Sequence, residues 1–182
     1  SGNTVQGAEI SLNNFAYIYD KKDKSDIRNS LKNLLGKGRS KGLNIKIDQN
    51  MNNIHGITLN NYSSWKDIEA QLDVIENNKQ HIKMVVVFLS PQLERYYSQL
   101  KEYFINTCQL ATQFVVSKKL QDQKRAGSIM FNVVEQINIK MGGTNFYIDF
   151  YGDNIIKKGK VYMILGLEVR TMGGEVHYSL TS

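Results

Sequence analysis

Met84-Val85-Val86-Val87-Phe88-Leu89-Ser90-Pro91 decides the fold of this 182-residue chain. From Met84 to Leu89 no polar residue interrupts the run, and three consecutive positions are β-branched valines. A strand with one wet face alternates in polarity; a strand covered on both faces does not. The run is far shorter than the roughly 20 apolar residues that a membrane-spanning helix needs. It therefore reads as an inner strand of a parallel sheet. Ser90-Pro91 ends it, because proline cannot donate to a ladder and its fixed φ suits the first turn of a helix. Pro91 is the only proline in the chain.

Working outward, helix and strand signals alternate. Toward the C-terminus, a helix is expected from about Gln92 to Gln109, then a strand at Phe114-Val115-Val116. A long helix follows over Ser128–Met141, with Ile129, Val133 and Ile137 on one face. Gly142-Gly143 stops it. Toward the N-terminus, Trp65, Ile68, Leu72 and Ile75 mark an amphipathic helix. Ser64 stands three residues before Asp67, an acidic variant of the capping box. Residues 49–62 are rich in Asn and read as a loop with a short strand at Ile57–Leu59. Leu43–Ile47 alternates as a strand. Ile27, Leu31, Leu34 and Leu35 give a helix over Lys24–Leu35, with Gly36 placed for a left-handed cap. Asp20–Lys24 is a charged turn, and Phe15–Tyr19 is the first strand. The pattern predicts an α/β domain with a mostly parallel sheet flanked by helices.

After Gly143 the texture changes. Phe146–Phe150 alternates as a strand, and Ile156–Lys160 is a basic turn. Val161–Arg170 and Glu175–Leu180 flank Met172-Gly173-Gly174 as a short β-hairpin. An isolated hairpin is marginal in water, so this one docks on the main domain or opens a truncated second one. Residues 1–8 form a small polar tail expected to be flexible. Ser1-Gly2 in place of an initiator Met suggests a piece of a longer protein.

Net charge is +6 and the pI is about 9.3, which favours a polyanionic partner or merely a soluble surface. Cys108 stands alone, so neither an internal disulfide nor a cysteine zinc site is available. His55, His81 and His177 are scattered and share no metal-ligand spacing. No signal-peptide or membrane-spanning pattern appears, and an intracellular site, cytoplasmic or nuclear, is expected.

Five polar and aromatic positions stand out: Tyr97, Lys101, Gln113, Gln136 and Lys140. Tyr97 and Lys101 are four apart, so they share a helix face, as do Gln136 and Lys140. With Gln113 they can form a cup of ammonium and amide donors for a phosphate, with the Tyr97 ring stacked on a base. Each residue also has a plainer role: a core tyrosine, solvated helix lysines, ordinary polar glutamines. Two strand ends facing helix starts, Leu89 and Val116, are where an open parallel sheet would hold such a ligand.

The joint pattern resembles the MID domain of Argonaute proteins over residues 9–145. The resemblance rests on the strand Phe15–Tyr19, the apolar strand Met84–Leu89 before the Tyr97 helix, and the ending Asn138-Ile139-Lys140-Met141-Gly142-Gly143. Gln136, where plain Argonautes carry a second lysine, points to the Piwi branch. The resemblance implies a Rossmann-like fold. It further implies that the domain anchors the 5′-monophosphorylated end of a small single-stranded guide RNA. Tyr97 would stack on the first base, and Lys101, Gln113, Gln136 and Lys140 would hold the phosphate. Ser90, Pro91, Gln92, Leu93, Glu94, Arg95 and Tyr96 would form the loop that senses the base. It implies a Mg²⁺ near Gln136 to offset the missing lysine charge, and the rest of a Piwi protein as partner. Residues 146–182 then form a linker and the first strands of a PIWI domain. There Gly166-Leu167-Glu168-Val169 carries glutamate where the family's first catalytic aspartate is expected, so no catalysis is expected of this chain. A monomer is expected.

Two other classes compete. One is a small nucleotide-binding enzyme on the same kind of sheet. Gly36-Lys37-Gly38-Arg39-Ser40-Lys41-Gly42 has the glycines of a phosphate loop but fits neither the dinucleotide nor the P-loop spacing, and reads as a flexible basic connection. The other is a protein-interaction module whose basic surface is incidental.

Overall fold

Met84–Leu89 is buried at every position, and a four-stranded parallel sheet is built around it. The structure is a computed structural model that describes residues 7, 9–11, 14–22, 30, 33, 36–38, 40, 44–46, 55–120, 122, 124–146, 157, 159–163, 165–172 and 175–181. In chain order the strands and α-helices whose bounds lie in the described residues are β1 (Glu9–Ser11), β2 (Phe15–Asp20), β3 (Asn44–Lys46), β4 (His55–Leu59), α1 (Trp65–Asn77), β5 (Met84–Leu89), α2 (Tyr97–Glu102), β6 (Ala111–Val116), α3 (Ser117–Leu120), α4 (Ala126–Lys140), β7 (Gly166–Met172) and β8 (Glu175–Thr181). The chain divides into two compact units, Ser1–Phe146 and Tyr147–Ser182.

In the first unit the main sheet has the order β4-β2-β5-β6, all parallel, so among the described strands β6 is an edge. Side chains alternate across the strands and feed two cores. Phe15, Tyr17, Met84, Val86, Phe88 and Val115 pack against Met130, Val133, Val134 and Ile137 of α4. Ala16, Ile18, Val85, Val87 and Leu89 pack on the other face against Ile68, Leu72 and Ile75 of α1 and against Leu93, Leu100 and Phe104. Apolar burial at about 25 cal/mol per Å² makes these two layers the main source of stability. A small parallel pair, β1 with β3, lies apart from this sheet, and no strand was expected at Glu9–Ser11.

Helix ends follow their local chemistry. The Ser64 side chain accepts from the Asp67 N–H, and the Asp67 carboxylate returns a bond to the Ser64 N–H. That box contributes on the order of 1 kcal/mol. Hydrogen bonds led by the Ser63 N–H hold the Asp67 carboxyl down at about 2. At the other end of the domain, Gly142 has φ 86° and ends α4 in a Schellman turn. The Gly143 N–H donates to Asn138 O at 2.8 Å and the Gly142 N–H to Ile139 O at 3.0 Å.

Several expectations change. The single helix over Gln92–Gln109 is three pieces: a 3₁₀ turn (Leu93–Tyr96), α2, and a π-helical turn (Tyr103–Cys108). The wider π turn carries the consecutive Tyr103 and Phe104 both into the core, and Gln109 leaves it left-handed at φ 57°. β6 begins three residues earlier than Phe114 because polar Thr112 and Gln113 hid its start. Gly36 does not cap a helix with a left-handed turn: residues 36–38 are themselves helical. The rest of the Lys24–Leu35 helix, apart from helical Ser30 and Asn33, lies outside the described residues. So does the strand expected at Phe146–Phe150, Phe146 excepted.

In the second unit β7 and β8 form an antiparallel hairpin with Met172 opposite Glu175 and Glu168 opposite Ser179. It starts later than Val161, at Gly166. No described helix is long and apolar enough to cross a membrane.

Candidate functional site

The edge strand β6 organises the site. Its side chains alternate: Gln113 and Val115 turn toward α4, Phe114 and Val116 toward the opposite core. Gln113 is only 4% exposed, so its amide must be satisfied internally. Its Nε2 donates to Gln136 Oε1 at 2.7 Å and to Phe114 O at 3.1 Å. Its Oε1 accepts from Lys140 Nζ at 2.9 Å. Lys140 Nζ also donates to the Thr112 carbonyl at 2.6 Å, a group that an inner strand would spend on a neighbour and an edge strand leaves open. Lys140 and Gln136, one turn apart on the last turns of α4, thus converge with Gln113 in one relay. Lys140 closes the helix as its last residue, where the macrodipole favours a cation.

Tyr97 and Lys101 arrive from the other side of the sheet. The Tyr97 ring meets Phe114 edge to face, centroids 4.8 Å apart, and keeps 39% of its surface in solvent. The ring is thus braced on one side while part of it remains open to solvent. Lys101 lies close enough to Lys140 for its charge to act on it. Desolvation, then repulsion from Lys101, pushes the Lys140 amine below the ordinary lysine range. Among the described residues no carboxylate is bonded to either amine, and the repulsion between the two charges is what an anion relieves.

Gln113, Gln136 and Lys140 are therefore bonded together at one strand, Tyr97 packs on that strand's Phe114, and Lys101 is near enough for its charge to reach Lys140. Their position differs from the expectation in one respect. The relay sits on the amino-terminal half of edge strand β6, at Thr112 and Gln113, and not beyond the carboxyl ends of Leu89 and Val116. The reason is the edge position of β6 among the described strands, where the Thr112 carbonyl accepts from Lys140.

Segment 90–96 lies over the carboxyl ends of β2 and β5 and is held by a buried cluster that sequence reading missed. Asp20, expected to open a charged turn, is 2% exposed. It accepts from Tyr62 Oη at 2.6 Å, Ser90 Oγ at 3.1 Å and the Lys22 N–H at 2.9 Å. Burial, with the Asp20 carboxylate beside it, raises Tyr62 well above the ordinary phenol range. The available signal was an Asp closing an otherwise buried strand of a parallel sheet. Gly36, Lys37 and Ser40 of the glycine-rich basic run line a cavity of about 560 Å³ with Ala126 and Gly127. It shares no residue with the relay.

A divalent ion takes oxygen ligands, preferably carboxylates. Among the described residues no group of three or more His, Cys, Asp or Glu could hold one. Gln136 Oε1 is an oxygen of the right kind, at present accepting from Gln113. The protein alone offers a thin donor set there, and phosphate oxygens and water would have to complete it.

A model of the Piwi domain family matches residues 84–177, just over half the chain. Among curated proteins nothing matches. The fold is similar to that of the N. crassa QDE-2 AGO MID-PIWI domains, with TM-score 0.65 and 20% identity over 81% of this chain and 38% of that one. It is similar to an AGO MID domain from Arabidopsis thaliana, with TM-score 0.60 and 21% identity over 80% of this chain and 99% of that one. Drosophila Piwi matches with TM-score 0.67 and 14% identity over 99% of this chain and 26% of its own. The chain therefore spans about a quarter to two fifths of the two longer structures. The Rossmann-like reading agrees with these folds.

Proposed function

The chain belongs to the Piwi domain family, and from that premise we propose that its first unit holds the 5′-monophosphorylated terminal nucleotide of a small guide RNA. The observation that carries the reading is the relay Lys140–Gln113–Gln136 on the edge strand, with a second ammonium from Lys101 beside it. Two cations and two amides concentrated at one place match a phosphate in charge and donor number. The solvent-exposed part of the Tyr97 ring matches a base, whose stacking is worth roughly 1–3 kcal/mol and indifferent to sequence.

In this reading the phosphate takes the Lys140 amine from Thr112 O and Gln113 Oε1. Gln113 and Gln136 then turn their amide N–H groups to the remaining oxygens. Gln136 Oε1 would help to hold a Mg²⁺, which would supply the positive charge that a glutamine lacks. The chain anchors and does not react. Glu168, placed on β7, is longer by one methylene than the aspartate expected there, and two-metal chemistry tolerates such shifts poorly. The guide's other end and the target duplex belong to the remainder of a longer Piwi protein, within which this piece works as a monomer.

The test is a titration of labelled short RNAs with a 5′-phosphate or a 5′-hydroxyl. The phosphate is expected to tighten binding by about a hundredfold, the equivalent of two charge-assisted hydrogen bonds. Equal affinity for both ends, governed by salt alone, would point instead to a nonspecific basic surface.

A further inference from the structure

We propose that Asp20, acting with Tyr62, is the positioning residue that sets the shape of segment 90–96 and so the choice of first base; this rests on the nucleotide-anchoring reading above. Asp20 ends β2 beside the crossover from β5, and its carboxylate is buried with three donors on it. One of them, Ser90 Oγ, in turn accepts from the Leu93 N–H at 3.1 Å, and Ser90 O accepts from the Glu94 N–H at 2.9 Å. The first turn of the segment therefore hangs from a hydroxyl whose direction Asp20 dictates.

The same cluster reaches the segment twice more. Gln92 Nε2 donates to Tyr62 O, and Lys22 Nζ donates to Gln92 Oε1, both at 3.4 Å. At the far end Tyr96 Oη donates to Ser63 O at 3.0 Å, and its ring meets Tyr62 edge to face. Asn61, left-handed at φ 45°, makes the turn that brings Tyr62 back over β2. So Ser90, Gln92 and Tyr96 are all fastened to one cluster, while the backbone beside Tyr97 remains the part a base would meet. Base edges are read by hydrogen bonds from fixed groups, and a backbone reader is only as selective as it is rigid. None of these contacts touches Lys101, Gln113, Gln136 or Lys140.

The experiment measures affinity for the four nucleoside 5′-monophosphates and their unphosphorylated nucleosides, with the full chain and with Asp20→Ala and Tyr62→Phe. Wild type is expected to discriminate among bases. Each variant should shrink the spread of affinities by about fivefold, the equivalent of one hydrogen bond, and leave the ratio of phosphorylated to unphosphorylated ligand unchanged. Faster amide exchange at Leu93 and Glu94 should accompany the loss. Tyr62→Phe removes one hydroxyl and keeps the ring, so it decides the matter if Asp20→Ala does not fold. A phosphate-dependent wild type whose base preference survives in the folded variants overturns this inference alone. A wild type without base preference also overturns it. A wild type without phosphate dependence overturns the anchoring reading and this inference with it.

Discussion

Lys140→Ala should weaken binding of a 5′-phosphorylated RNA by roughly a hundredfold, while binding of the 5′-hydroxyl RNA barely changes. The amine is the cation that the relay is built around, donating to Thr112 O and Gln113 Oε1. A charge-assisted bond is worth about 1.5–3 kcal/mol, and a phosphate would engage this group with its full charge. Stability should move less, by about 1–2 kcal/mol, because Gln113 Oε1 loses its donor while removal of the charge relieves Lys101. The pH dependence carries a sign. The amine already sits below the ordinary lysine range through desolvation and the Lys101 charge, and a bound dianion would raise it. Binding therefore takes up a proton. Affinity should be full near neutral pH, where the phosphate is a dianion, and fall as pH rises through the free protein's value, earlier than an ordinary lysine would dictate. In Lys140→Ala that limb should disappear. Isothermal titration at several pH values reads both effects. An unchanged phosphate preference in the variant would remove Lys140 from the site.

The second large effect is structural. Gly143→Ala should cost about 2–3 kcal/mol and lower the melting temperature by roughly 5–10 °C. A Cβ at Gly143 would collide with the side-chain amide of Asn138. That amide has nowhere to go: Asn138 is fully buried. Its Nδ2 donates to Asn145 Oδ1 at 2.7 Å, and Asn145 Nδ2 donates to Glu135 O at 3.0 Å. These bonds sew the turn back onto the helix and hold the last turns that present Gln136 and Lys140. Gly142→Ala makes the control. It keeps space for a Cβ but strains φ 86°, which costs only about 1–2 kcal/mol. Thermal unfolding followed by circular dichroism should rank the two, with Gly143→Ala the worse. The reverse order would mean that Asn138 can move aside.

Legibility followed burial. Met84–Leu89, the Ser64 box and the Gly142-Gly143 ending could be read because each depends on residues adjacent in sequence. The start of β6 could not, because Thr112 and Gln113 look polar until a facing helix supplies their partners. The division of residues 93–108 into three helical geometries was hidden too. Apolar spacing there is consistent with one helix, and only the packing of Tyr103 beside Phe104 demands the wider turn. Asp20 is the clearest miss. Followed by Lys21, Lys22, Asp23 and Lys24, it looked like the first residue of a solvated turn. The fold makes it the last residue of a buried strand, and Tyr62 and Ser90, both distant in sequence, supply its donors. The five cup residues were identifiable as types, but their meeting around an edge strand belongs to the topology β4-β2-β5-β6, which no local pattern encodes.

The side-chain amides of Gln113 and Gln136 report most directly on whether the relay opens to take an anion. Their ¹⁵N-resolved NH₂ signals can be followed while a 5′-phosphorylated dinucleotide is added, then its 5′-hydroxyl counterpart. The account predicts that both pairs shift together and saturate with the phosphorylated ligand, and stay still with the other. Equal shifts with both ligands, or saturable binding that leaves both amides unmoved, would contradict it.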